Sequence, residues 1–172
     1  SVVDAMKEQE RDERAKLKGT AVIKAGSNKM AVSGAVMNVY EPDTRIATKD
    51  INGCLYLPMS AVEEILGYGL SKVYMDAEER MVLLKNHGLE NEKIVNDMLI
   101  YARVGENFAH VNGKYTNLSN TIIDDNGYIL IPVSLLTECF GFKTVTLSNG
   151  AVALSRADIN TEVADIAGTY LN

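Results

Sequence analysis

Apolar and polar positions along the chain alternate in short runs that are broken by Asn-Gly, Ser-Gly and proline. Cys54-Leu-Tyr-Leu57 and Tyr128-Ile-Leu-Ile131 are apolar throughout, which predicts strands covered on both faces and therefore central in a sheet. Each is preceded by a pair that accepts positive φ in a tight turn, Asn52-Gly53 and Asn126-Gly127. Each is closed by a proline, Pro58 or Pro132, which cannot donate to a ladder but suits a helix start. Two short helices are expected next. Val62, Ile65 and Leu66 mark the buried face of the first, and Leu135, Leu136, Cys139 and Phe140 that of the second. Ser60 with Glu63 has capping-box spacing, and Ser134 stands at the matching place. Gly67 and Gly141 are expected to end the helices in the left-handed region, with Tyr68 and Phe142 as apolar contacts just beyond.

The two stretches coincide at a constant offset of 74 residues, so the chain reads as one unit used twice. Upstream, Gly26, Asn28, Val32 and Gly34 recur as Gly105, Asn107, Val111 and Gly113 at an offset of 79. Ser33-Gly34 and Asn112-Gly113 sit between alternating apolar flanks, a hairpin signal. Downstream, Lys72-Val-Tyr-Met and Thr144-Val-Thr-Leu each precede a polar turn and a last strand, Met81-Val-Leu-Leu84 or Ala151-Val-Ala-Leu154. The expected class is α+β: two similar repeats, each a twisted antiparallel sheet of hairpins packed on one short helix. Residues 19–85 form the first repeat, 86–94 a polar joint, and 95–155 the second. Residues 1–18 carry mixed charge and read as a polar helical leader or linker, with a partner-binding helix as the alternative. In 156–172, Ile159, Val163, Ile166 and Tyr170 recur at helical spacing behind Ser155 and Asp158, which predicts an amphipathic helix packed back on the sheet, with a helix leading into a partner or a downstream domain as the alternative.

A glycine-led strand, the Val111-Asn-Gly-Lys114 hairpin, and Asn-Gly followed at fixed spacing by proline and glycine resemble the copper amine oxidase N-terminal-like (stalk) domain family. The resemblance covers roughly residues 19–155 and is carried by Asn52, Gly53, Pro58 and Gly67, and again by Asn126, Gly127, Pro132 and Gly141. It implies a non-catalytic α+β module of bacterial secreted or surface-attached proteins, serving as stalk, spacer or attachment. It implies no copper site, because the metal of those oxidases belongs to a separate catalytic domain. Cys54 and Tyr128 stand where the family usually has a basic residue after Asn-Gly, and the chain has no tryptophan.

Net charge −6 and pI near 5.0 argue against a nucleic-acid partner, which requires clustered Lys and Arg. No apolar run approaches the roughly 18–20 residues of a membrane span. The chain opens on Ser1 rather than Met, so any signal peptide is expected to be already removed. Cys54 and Cys139 each occupy a slot where the other repeat has a large, mainly apolar side chain, so both read as buried free thiols, with a disulfide or reactive thiol as alternatives. His87 and His110 have no companions at metal-ligand spacing, so no metal or other cofactor is expected. A Cys–His nucleophile pair has nothing in the sequence to orient it. Asp124-Asp-Asn-Gly127 reads as a turn and not a calcium loop. Tyr56 is expected in the core, whereas Tyr74 and Tyr115, on predicted hairpins, are the candidates for contact with a sugar ligand. The leading expectation is a structural or adhesive module that spaces, docks or attaches a larger protein. A carbohydrate or cell-wall binding module is the alternative, and an unrecognised hydrolase comes third.

Overall fold

A computed structural model gives the fold and describes residues 2–67, 71–90 and 93–172; the side chains of residues 6, 9, 71–75, 86–90 and 93–97 lie outside the description. In chain order, helix α1 (Val2–Lys16) leads into strands β1 (Ala21–Ile23), β2 (Lys29–Val32), β3 (Ala35–Asn38), β4 (Lys49–Ile51) and β5 (Cys54–Pro58), then helix α2 (Met59–Leu66). Strands β6 (Ser71–Asp76), β7 (Met81–Glu90), β8 (Lys93–Arg103), β9 (Phe108–Val111), β10 (Lys114–Asn117), β11 (Ile123–Asp125) and β12 (Tyr128–Pro132) follow, then helix α3 (Val133–Cys139). The chain closes with β13 (Lys143–Thr146), β14 (Val152–Ser155), helix α4 (Thr161–Gly168) and a 3-10 turn, Thr169–Leu171. The class is α+β, as expected.

The chain divides into two compact units. The first comprises the residues up to Thr48 together with Phe142–Asn172. It is built on an antiparallel sheet ordered β13-β14-β1-β2-β3. Its core joins Val22, Ala31 and Ala153 on the sheet to Val163, Ala164, Ala167 and Leu171 on α4 and its 3-10 turn, with Leu17 from the end of α1. Small residues on the sheet let the helix approach closely. Arg14 on α1 lies over Gly34, where a Cβ would come within 3.1 Å of it.

The second unit, Lys49–Gly141, holds a five-stranded sheet ordered β6-β7-β8-β9-β10 and a four-stranded one ordered β11-β12-β5-β4. In the four-stranded sheet β5 and β12 are central, as their doubly apolar sequences predict, and α2 and α3 pack on them. Leu57 faces Ile131, with Tyr56 opposite Pro132 and Pro58 opposite Leu130, so positions related by the 74-residue offset pair about one central point. The flanking turns match as well. Asn52 and Asn126 take φ 52° and 53°, and Gly53 and Gly127 take 85° and 92°. In each turn a carboxylate accepts the glycine amide, Asp50 from Gly53 at 2.9 Å and Asp124 from Gly127 at 2.8 Å.

That turn has a measurable consequence. The Gly127 amide, and after it the Arg80 guanidinium 3.1 Å away, hold the Asp124 carboxyl below its ordinary 3.8. A depressed carboxylate stabilises the fold above its unfolded value, and that contribution is lost as pH falls through the native one. Stability therefore drops in the acid limb below the ordinary carboxylate range, and Asp124→Asn flattens that limb. Urea midpoints compared at neutral and acid pH check it; an unchanged limb in the variant would remove Asp124 as its source.

The structure departs from the sequence reading at four places. Helix α2 starts directly at Pro58, with no side-chain cap and Ser60 inside the helix, so there is no capping box. Proline ends the strand and begins the helix in one residue, leaving no room for a separate cap. Ser134 likewise lies within α3, and its hydroxyl accepts from Asn120 Nδ2 at 3.0 Å. Gly67 ends α2 with the positive φ expected of a glycine stop, 120°, but its ψ of 144° lies outside the helical left-handed well, and Gly141 adopts φ 70°. Asn160 caps α4 by accepting from the Val163 amide, which shifts the helix start and turns Ile166 and Tyr170 outward in favour of Ala164, Ala167 and Leu171. Lastly, the polar segment read as a joint carries the paired ends of β7 and β8, joined from Asn86–Met98 to Glu90–Lys93 across a bulge. Tyr68 lies outside the described residues.

Candidate functional site

In the second unit's five-stranded sheet, strand alternation sends Val82, Leu84, Ile100, Ala102 and Ala109 inward, and all are buried. The opposite face is solvent-facing. Its middle row is read from register: Tyr74 opposite Leu83, Leu83 opposite Tyr101, Tyr101 opposite His110, and His110 opposite Tyr115. Directly opposed residues share a face and lie within contact range. Tyr115 is 61% exposed and Tyr101 39%, while His110 is exposed and Leu83 half-buried. Tyr74 holds the matching register position on β6, but its side chain lies outside the described residues.

The rings brace one another. Phe108 stacks on Tyr115 with centroids 5.0 Å apart and planes 18° apart. His110 stands edge-on to both, at 6.1 Å from Phe108 and 6.2 Å from Tyr115. Offset stacking and edge-to-face packing are the favoured aromatic geometries, so the rings are held in place before any ligand arrives. One flanking row runs Lys72, Lys85, Leu99, with Asn112 holding Leu99: its side-chain oxygen accepts the Leu99 amide at 2.8 Å. The other flank runs Asp76, Met81, Arg103, and Arg103 is engaged by Glu79 at 3.3 Å and Glu106 at 3.9 Å.

The first unit's sheet offers an internal contrast. Its strand order matches that of the aromatic sheet, and the corresponding row is Val145, Ala153, Val22, Ala31, Val36. There the residues are small or β-branched, and α4 roofs the middle of the row. Val22, Ala31 and Val36 correspond to Tyr101, His110 and Tyr115 at the 79-residue offset. One row accepts a helix, and the other presents rings to solvent.

The remaining chemistry is dispersed. Both cysteines are free. Cys139 is buried, and burial, then the neighbouring Glu138 charge, push its thiol up to about 11. Cys54 is half-buried, its sulfur 3.7 Å from the Ser134 hydroxyl, whereas His110 sits among aromatic rings. Tyr56 is buried, as expected of a core residue, and burial raises its phenol above the ordinary 10.0. No group of three or more His, Cys, Asp or Glu positioned to hold a metal ion occurs among the described residues. The side chain of His87 lies outside them. A groove of about 490 Å³ in the first unit is lined by Leu17, Val36, Val163, Ile166 and Tyr170, with Glu10 and Glu13 from α1. No helix among the described residues is long and apolar enough to cross a membrane.

Of the two tyrosines singled out by sequence, Tyr115 is in the exposed row and Tyr74 holds a position in its register. Tyr101 and Phe108 are not singled out by the sequence, and His110 is weighed there only as a metal ligand or a nucleophile's partner. Their signal was present in the 79-residue offset, which aligns them with or beside sheet positions of the first half, but only cross-strand pairing turns three separate segments into one surface.

No curated protein and no solved structure matches the chain. The family model described as the copper amine oxidase N-terminal domain matches residues 36–152, from β3 into β14 and across both Asn-Gly turns and the whole aromatic sheet. The chain therefore belongs to the copper amine oxidase N-terminal domain family, a family of non-catalytic, stalk-like domains.

Proposed function

We propose that the protein is a non-catalytic attachment module of a bacterial secreted protein, built from two tandem stalk-like repeats, and that it holds to cell-wall or other surface polysaccharide through the aromatic sheet face. The repeats run over 19–85 and 95–155, between a polar helical leader (1–18) and the C-terminal helix (156–172). Support for the duplication comes from backbone bonds that recur in both halves. The Gly26 amide donates to Thr48 and that of Gly105 to Ile122; Val39 donates to Asn28 and Leu118 to Asn107; Ser33 donates to Thr20 and Asn112 to Leu99. The two five-stranded sheets also share one strand order, each taking three strands from one repeat and two from the other.

The observation that carries the attachment reading is the exposed row Tyr101–His110–Tyr115, continued by half-buried Leu83, a row whose counterpart in the other sheet is roofed at its middle by a helix. Exposed apolar and aromatic surface of this kind marks an interaction site. A sheet face suits an extended polymer more than a small molecule, which favours a concave pocket. Secretion and surface location belong to the same reading.

The purified protein should sediment saturably with insoluble polysaccharide or isolated bacterial cell walls. Tyr101→Ala and Tyr115→Ala should each weaken that binding about tenfold, the loss of about 1.4 kcal/mol, with circular dichroism unchanged. Absence of binding to every matrix would return the module to a spacer or protein-docking role.

A further inference from the structure

We infer that the ligand of the aromatic face is a linear polysaccharide bearing carboxylates, lying across the strands with one sugar ring per strand and its charges toward the Lys85 flank. This rests on the attachment reading above and specifies its ligand. Three features carry it. The first is period. Tyr101, His110 and Tyr115 occupy successive strands at directly opposed positions. Neighbouring strands are about 4.8 Å apart, close to the advance per residue of an extended β-linked hexopyranose chain. A chain running perpendicular to the strands therefore meets a new side chain of the row with each sugar. A chain running along a strand would leave the row after one residue.

The second feature is rigidity. Phe108 supports the Tyr115 ring and His110 stands edge-on to both, so this end of the row is formed without ordering free side chains on binding. The third is charge. The protein carries −6 overall, yet the row beside the aromatics places Lys72 and Lys85 in direct register, with Leu99 and Asn112 beyond them and no acidic residue in the row. Lys72 enters by register position alone, its side chain lying outside the described residues, and Lys85 supplies the charge that an anion meets. On the other flank Arg103 is already occupied by Glu79 and Glu106. In this arrangement the Lys85 flank sets the orientation of the chain.

The test is calorimetric titration of the whole protein with β-1,4-mannuronate oligomers from disaccharide to hexasaccharide, alongside neutral cello-oligosaccharides of equal length. Affinity for the acidic series should rise with each added sugar until the row is covered. It should exceed that of the neutral series about tenfold at low ionic strength and lose the excess in high salt. Lys85→Gln should bring the two series to within about twofold of each other. Tyr101→Ala should lower affinity for both series, while Tyr101→Phe restores most of it. Length-independent binding, equal binding of both series, or a preference that survives Lys85→Gln would overturn the inference. If wall binding still depends on Tyr115, any of those outcomes leaves the attachment reading standing; failure of wall binding itself removes both.

Discussion

Leu57→Ala lowers the unfolding free energy by about 3 kcal/mol. Leu57 and Ile131 are both fully buried and face each other between the two central strands of the four-stranded sheet. Helices α2 and α3 pack on these two strands, and truncating a fully buried side chain in so close-packed an interior leaves a cavity. Ile131→Ala should cost a similar amount. The double variant should cost less than the sum of the two, because both deletions open the same space. Urea unfolding followed by circular dichroism measures all three. The midpoint should move while the slope stays constant, as for a change of stability within a two-state transition. A loss under about 1 kcal/mol for either single variant would mean that this pair is not the centre of the sheet.

Removal of the residues from Ile159 onward should unfold or melt the first unit. The segment contributes Val163, Ala164, Ala167 and Leu171 to the core, and its burial is worth roughly 5 kcal/mol by area. That is comparable with the whole stability of a small domain. Side chains also tie it to the β13–β14 turn. Asn149 Nδ2 donates to the Gly168 carbonyl at 2.8 Å, and Asp165 accepts from the Ser148 amide at 3.0 Å. Without the segment, Val22, Ala31 and Ala153 face water, so the shortened protein should bind a hydrophobic dye and lose amide protection in β1 and β14. Leu171→Ala, a milder change at a fully buried site, should cost about 3 kcal/mol and leave the fold intact. Intact protection in the shortened protein would show that the helix is not the roof of this sheet.

Both expectations show which parts of the molecule can be read locally. The Asn-Gly turns were legible because their φ values are set by the two residues themselves. The apolar runs of β5 and β12 were legible because strands covered on both faces have no polar alternation. The short helices announced their buried faces by spacing, and Val62, Ile65, Leu66, Leu135 and Leu136 are buried as expected. Helix starts were less legible. Ser60 and Glu63 have the right spacing for a cap, but the backbone geometry of Pro58 decides where α2 begins. In α4 the first-choice apolar stripe included Ile166 and Tyr170, and the sheet selected alanines because they allow closer approach.

The sequence by itself determined the α+β class and, through its asparagine, glycine and proline positions, membership of a stalk-like family. These are local signals: two or three residues set each turn, and periodicity sets each face. Only the tertiary structure decided which strands share a sheet. It joined β13 and β14 to β1, and β7 to β8, so that each five-stranded sheet draws on both halves of the sequence. It also decided that Tyr101, His110 and Tyr115 form one exposed row while Val22, Ala31 and Ala153 lie under a helix. The physical reason is that strand pairing satisfies backbone hydrogen bonds with whichever segment arrives in register, and no local pattern names that partner.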